Sequence, residues 1–290
     1  MMNWEDLRFF LAIGQSGTLS GAARALQVDQ ATVSRRLIAL EASLGVRLVN
    51  RLPREAQLTA AGLQVLKQAL EIEKYAYSVK RITAGLGEQE RTTVSISAPP
   101  ILARHFLAPH VLSLSRKLEQ AKLSILSESH FASLARLEAD LAVRLATGST
   151  DTDIIKKVGR VDFALYAART YSHLSEPSQW EFVGYTERQK DFDHKRWLYQ
   201  VIGDRRVSCE VSDLSNQYEA ACSGIGVAGL PCFLADRDER LVRLDARETL
   251  LTLNIWVAIH PDRRNDVLIR RTMVAIIELI EAVGLSNSKS

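Results

Sequence analysis

The sequence predicts a mixed fold: a small, mainly helical head of winged helix-turn-helix type, a long linker helix, and an α/β domain. Three observations predict it. Through residue 60 the chain carries seven Arg, five acids and neither Lys nor His, spread over three short helical patterns. From Leu63 to Leu86 the apolar residues form a narrow stripe at helical spacing. Beyond Thr92, strand-like and helix-like stretches alternate. A length of 290 residues suits about two domains at roughly 150 residues each. With 47% apolar and 24% charged residues, long disorder and fibrous repeats are excluded.

The first helix is expected over residues 6–15, with Leu7, Phe10 and Leu11 on its apolar face, and Ser16-Gly17 ends it. Thr18 or Ser20 caps a second helix whose inner face is Leu19, Ala22, Ala23 and Leu26; the small alanines permit close helix approach. Gln27-Val28-Asp29 makes a tight turn, with Val28 as the apolar plug. Asp29 is a good N-cap for a third helix from Gln30 to about Leu44, which Gly45 closes. Val33, Leu37, Leu40 and Leu44 form its buried stripe, so Gln30, Ala31, Thr32, Ser34, Arg35 and Ile38 face outward, with Arg36 beside them. Glutamine pairs with adenine, arginine with guanine or phosphate, and small methyl-bearing side chains with thymine, so this face suits a DNA major groove. The competing reading is a three-helix subdomain with a solvated polar face. Val46-Arg47-Leu48-Val49 and Gln57-Leu58-Thr59 flank a short hairpin, or wing, with Arg51, Pro53 and Arg54 near its tip, where arginine can clamp phosphate or enter the minor groove.

Taken together, Leu7-Arg8-Phe9-Phe10-Leu11-Ala12, Gly17-Thr18-Leu19-Ser20-Gly21-Ala22-Ala23, Val28-Asp29-Gln30-Ala31-Thr32-Val33-Ser34-Arg35, Leu44-Gly45-Val46-Arg47-Leu48 and Leu58-Thr59-Ala60-Ala61-Gly62 resemble the N-terminal winged helix-turn-helix of LysR-type transcriptional regulators. The chain departs from the family pattern at Ala31, where proline is common, and at Val49 and Asn50 in the wing. The resemblance implies a linker helix that dimerises the heads, and the narrow stripe over residues 59–86 agrees; packing of that stripe on the chain's own second domain is the alternative. It also implies an effector domain like a periplasmic binding protein, with two subdomains. The expected layout is a winged helix-turn-helix domain at 1–60 (helix-turn-helix about 19–44) and a linker helix and hinge at 61–91. A regulatory domain at 92–290 follows, with subdomain I at 92–162 plus 261–285 and subdomain II at 163–260.

Within the α/β part, strands are expected at 92–97, 122–126, 141–143, 163–167, 206–211, 226–228 and 253–259, and helices at 102–118, 131–139 and 267–283. Alternation argues for parallel strands, whose carboxyl ends face ligands. Those ends nominate Ser97, Ala98, Pro99 and Pro100, then Ser127 and Glu128, then Arg144, and Ser212 in the second subdomain; Gly226 is placed with them. A helix start after Ser97 is a natural anion site, although the two prolines lack N–H donors. Arg144 pairs either with a ligand carboxylate or with Glu128 or Asp140.

Enzyme-like features fail on context. Gly224-Ile225-Gly226-Val227-Ala228-Gly229 reads GxGxxG, but a helix-like stretch precedes it and Leu230-Pro231 blocks helix entry, so the glycines end a helix and begin a buried strand. No nucleophile or second acid surrounds Glu128 and His130. Cys209, Cys222 and Cys232 contain no CxxC pair, which fits buried reduced thiols rather than a disulfide framework or a zinc site; a redox pair of Cys222 and Cys232 is the minority alternative. No stretch reaches the roughly 20 apolar residues that cross a bilayer, and residues 1–6 do not read as a signal peptide. The expectation is a cytoplasmic, non-enzymatic, sequence-specific transcriptional regulator without cofactor or metal. Its partners would be promoter DNA, a small-molecule effector, itself as dimer or tetramer, and RNA polymerase. The rivals are a ligand-independent DNA architectural protein and an enzyme carrying a DNA-binding head.

Overall fold

A computed structural model describes residues 2–51, 55–86, 93–119, 121–128, 133–145, 154–187, 191–244 and 250–285. The chain divides into two compact units, Met1–Ile82 and Thr83–Ser290.

The first unit opens with α1 (Trp4–Ser16), α2 (Leu19–Leu26) and α3 (Gln30–Leu44). Each start is set by a side chain that satisfies an orphan N–H: Asn3 for α1, Thr18 for α2 and Asp29 for α3. Phe10, Ile13, Ala22, Val33, Leu37 and Leu40 are fully buried between these helices. Two expected details differ. Leu44 ends the stripe at the rim, and Val28, which follows the left-handed Gln27, is exposed.

Strands β1 (Val49–Arg51) and β2 (Ala56–Leu58) pair antiparallel as the wing. Glu41 on α3 anchors its base by accepting from the N–H groups of Leu48 and Val49 at 2.7 and 3.1 Å. Thr59 then caps α4 (Ala60–Leu86) and bonds back to Arg47 and Leu48. Gly62 is required here: a Cβ would lie 2.1 Å from the Leu48 carbonyl oxygen. Along α4, Val65, Leu66, Ala69 and Leu70 pack on the head core, whereas Leu63, Ile72, Tyr75 and Val79 are exposed. The single stripe read in the sequence is therefore two faces.

The second unit runs β3 (Thr93–Ala98), a helical segment, β4 (Lys122–Ser127), β5 (Leu141–Arg144), β6 (Ile154–Ala168), β7 (Phe182–Tyr185), α7 (Asp193–Ile202), β8 (Val207–Val211), α8 (Leu214–Cys222), β9 (Ala228–Pro231), α9 (Cys232–Ala235), β10 (Leu241–Arg243), β11 (Leu251–Ile259) and α10 (Val267–Ala282). The helical segment is α5 (Pro100–Leu102), a π turn (Ala103–Leu107), a 3₁₀ turn (Ala108–His110) and α6 (Val111–Lys117). Pro109 accounts for the irregular middle: it lacks an N–H and its ring clashes with the carbonyl four residues back, so the winding loosens there.

The expectation of a parallel sheet needs correction. In the large sheet, among the described residues, parallel pairing is confined to β3 with β4 and β5; β11 runs antiparallel to β5 and β6, and β9 and β10 run antiparallel to β6. Strand order is β10-β6-β11-β5-β3-β4, with β7 and β8 as a separate parallel pair bridged to Val227. The strand expected at 163–167 is the end of a fifteen-residue strand, β6. Its last six residues are all buried because both faces are covered: Ala164 and Tyr166 on one face enter one core, and Leu165 and Ala167 on the other face enter a second. The expected subdomain boundary at 162/163 falls inside this strand. The helix expected at 131–139 is also overturned in its described part: residues 134–137 form turns and Leu137 has φ +60°. Glu138 bonds the Ser133 N–H, and the Arg136 N–H bonds the Ser133 hydroxyl, which gives the backbone an alternative to helix. Phe131 and Ala132 lie outside the described residues. No described helix is long and apolar enough to cross a membrane.

Candidate nucleic-acid interface and ligand cleft

The start of α3 holds most of the expected reading residues. Gln30, Ala31 and Arg35 are exposed and Thr32 and Ser34 half-buried, on a helix whose opposite side is sealed by Val33, Leu37 and Leu40. Asp29 accepts from the Thr32 N–H at 2.6 Å and from the Thr32 hydroxyl at 3.0 Å; that same hydroxyl accepts from Arg35 Nη2 at 3.0 Å. The Thr32 N–H, its hydroxyl and the Arg35 charge hold the Asp29 carboxyl below the usual carboxylate range.

Arg36 departs from the expectation. Its Nη1 bonds Asp6 at 3.1 Å, and its guanidinium carbon lies 5.7 Å from the Phe9 ring centroid. Asp6 is itself buried, so Arg36 fastens α3 to α1 instead of standing free on the reading face. Of the wing arginines, the Arg51 backbone pairs with Ala56 in the hairpin, and Arg54 lies outside the described residues.

The ligand candidates on the first three strand ends do converge. Register places Ser97 opposite both Leu126 and Ala142, so Ser127, Glu128 and Arg144 follow on either side at the same carboxyl edge. Ser97 is buried and donates to Glu128 Oε2 at 3.5 Å, while the Glu128 N–H bonds the Ala98 carbonyl at 3.1 Å. Arg144 is 5% exposed, with Trp256 as its register partner on β11. Pro99 and Pro100 reshape the adjacent helix start. The Leu102 and Ala103 N–H groups both bond the Pro99 carbonyl, so Ile101 supplies the one N–H not used in that turn.

Ser212 follows β8 and bonds Asp213, whose carboxylate caps α8 through the Ser215 and Asn216 N–H groups. Gly226 does not join it. Val227 bridges Phe182 at the start of β7, and β7 and β8 run parallel, which puts Gly226 at the opposite edge from Ser212. Its missing Cβ has a packing cause: that atom would stand 2.6 Å from the Glu181 carbonyl oxygen. Gly224, at φ +84°, ends the turn after α8, and β9 follows, so the GxGxxG run lacks the strand-then-helix setting of a dinucleotide site.

Sequence reasoning missed two constellations. His105, in the π turn, meets Tyr218 of α8 edge-on at 5.2 Å; the Tyr218 hydroxyl bonds Asp238, which Arg240 also grips. The second is His194, bonded to the Tyr185 hydroxyl at 3.0 Å and the Gly229 carbonyl at 2.9 Å; burial pushes its pKa down to about 4. Both join residues far apart in the chain, and no local pattern signals them. Burial raises the Cys222 thiol to about 11 and raises Cys232 as well, so both favour the unreactive thiol. Among the described residues no group of three or more His, Cys, Asp and Glu could hold a metal ion.

Comparison with known proteins agrees with this geometry. Residues 4–63 match the family model for the bacterial regulatory helix-turn-helix protein of the lysR family, and residues 87–279 match the LysR substrate binding domain. The Mau operon transcriptional activator of Paracoccus denitrificans is 28% identical over 277 residues, covering 93% of this chain and 94% of that one. The structure of CrgA, a LysR-type transcriptional regulator from Neisseria meningitidis, superposes with TM-score 0.55 at 23% identity, covering 98% and 100%. Full-length CbnR complexed with its target DNA gives TM-score 0.54 at 17% identity, covering 96% and 100%. With two thirds of the chain under one family model and the head under the other, the protein belongs to the LysR family of transcriptional regulators, which join a helix-turn-helix DNA-binding domain to an effector-binding domain.

Proposed function

We propose that α3 reads a promoter through Gln30, Ala31, Thr32, Ser34 and Arg35, with Arg51 and Arg54 of the wing on flanking backbone or minor groove. The observation that carries this is the two-sidedness of α3: one side fully buried in the head core, the other offering short polar groups and an arginine at the helix start. The CbnR complex with target DNA supports it by likeness of fold. Dimerisation through α4 brings two such helices to successive major grooves, and the exposed Ile72, Tyr75 and Val79 at spacings of three and four are the seam. The domain layout of the proposal is 1–60, 61–91 and 92–290, with a small-molecule effector at the strand ends carrying Ser97, Glu128, Arg144 and Ser212. The protein works in the cytoplasm, has no catalytic role, and acts on transcription with RNA polymerase as a further partner.

Arg35→Ala tests the reading helix: it weakens binding to a selected promoter duplex in a band-shift at fixed salt, and unchanged affinity and base preference sink the assignment. A thermal-shift screen of the full chain against small metabolites tests the effector. A response at the cleft, removed by Glu128→Ala or Ser212→Ala, separates a ligand-gated regulator from a purely architectural DNA protein.

A further inference from the structure

The start of α3 carries an acid where attraction to a polyanion would call for none, and that acid is wired to the reading arginine. Asp29 occupies the N-cap, and its two carboxylate oxygens take the Thr32 N–H and the Thr32 hydroxyl proton at 2.6 and 3.0 Å. With its proton so committed, the hydroxyl can only accept from Arg35, and it does so from Nη2 at 3.0 Å. One acid, one hydroxyl and one guanidinium therefore form an ordered chain along the first two turns of the helix.

This chain acts on Arg35 in two ways. Geometrically, it uses one corner of a planar fork and leaves the remaining N–H groups of that plane for a partner with two acceptors, at reduced loss of rotamer freedom. Electrostatically, the ionised Asp29 offsets the arginine charge. Attraction to a phosphate is largely charge on charge, and falls with it. The O6 and N7 atoms of guanine are neutral acceptors, and their two directional bonds depend on aim more than on net charge. The Thr32 hydroxyl has committed its proton to Asp29 and one lone pair to Arg35, so it can offer DNA no donor, only its remaining lone pair and its methyl group.

We propose that Asp29 and Thr32 are positioning residues that hold Arg35 for bidentate bonding to the O6/N7 edge of a guanine and against a backbone phosphate, so that the chain gains base discrimination at the expense of non-specific affinity. The proposal rests on α3 being the DNA-reading helix, and the test separates the two. Full-length protein selects duplexes from a randomised pool, and fluorescence anisotropy then follows the selected duplex, its single-base variants and a shuffled duplex between about 50 and 200 mM salt.

Arg35→Ala should lose roughly 10- to 100-fold in preference for guanine at one half-site position. Asp29→Asn keeps a good N-cap but removes the charge. It should bind the shuffled duplex several-fold more tightly, steepen the salt slope by about one, and lose guanine preference. Thr32→Val should lose the preference and Thr32→Ser restore it, with helix content by circular dichroism unchanged; if Thr32→Val fails to fold, the Asp29→Asn arm decides. Wild-type guanine preference in both Asp29→Asn and Thr32→Val overturns the relay alone. An Arg35→Ala loss equal on all duplexes, with the slope reduced by about one, overturns it in favour of a phosphate contact. No change on any duplex for Arg35→Ala overturns the reading of α3 itself.

Discussion

The head and the effector-binding unit build their sites in opposite ways. On α3 the groups that matter lie within two turns: Asp29, Thr32 and Arg35 are three residues apart and linked by side-chain bonds. In the second unit the corresponding groups come from different elements far apart in the chain, Ser97 with Glu128 across 31 positions and Tyr218 with Asp238 across 20. A local site tolerates disturbance of the fold around it as long as its helix persists. A site assembled from strand ends depends on sheet register and on the buried polar groups that fix the strands and helices around it. The lesson is that mutations at the head site should change DNA binding with little loss of stability, whereas the second unit should respond in stability and pH dependence first.

Predictions that break or sharpen this contrast can be ranked. The largest effects concern backbone approach and burial. Gly62→Ala forces a methyl against the Leu48 carbonyl and separates wing from α4, and should cost about 3 kcal/mol, read as a lowered melting temperature of the head. Should the melt be unchanged, the head would be more forgiving than a close-packed three-helix core permits. Comparable in size is the acid response of the second unit. His194 has a folded pKa of about 4 against an ordinary value of 6.5, so the unfolded chain binds the proton first. Stability from this group is fully present above pH 6.5 and is lost as pH falls towards 4, by about 3 kcal/mol in denaturant titrations. His194→Gln should flatten that window.

Next comes Asp6→Ala, which strands Arg36 beside Phe9. Because Arg36 is 43% exposed and water screens the pair, the expected loss is about 1 kcal/mol. Guanine preference through Arg35 should survive it, and a loss of preference without a loss of stability would return Arg36 to the reading face. Smallest is Lys117→Ala, which removes a pair with Glu278 between half-exposed side chains; its effect on thermal unfolding should stay below about 0.5 kcal/mol.

Legibility in the sequence followed the same divide. Thr18 and Asp29 announce their helices because capping is a one-residue event, and Val33, Leu37 and Leu40 announce the inner face because helical periodicity is local. Residues 133–139 misled because their apolar spacing suits a helix, while Ser133 and Glu138 close turns with their side chains. The strand at 163–167 was legible only in its doubly buried half; the exposed Lys156 and Lys157 hid the remainder of β6. Gly226 is grouped with the effector candidates in the sequence, and it is the direction of β7 and β8 that assigns it to the other edge.

By itself, then, the sequence determined the head: its three helices, the caps of the second and third, the outward face of α3 and the family pattern that these residues compose. It also determined that an α/β unit follows. Only the tertiary structure decided that the large sheet is mixed, that the stripe on α4 divides into a head-facing and an exposed side, and that Arg36 turns inward to Asp6 while Arg35 stays out. The physical reason is range. Caps and helical periodicity act over three to four residues and are written along the chain, whereas strand direction, burial of a charge and the choice of its partner depend on which distant segments exclude water together.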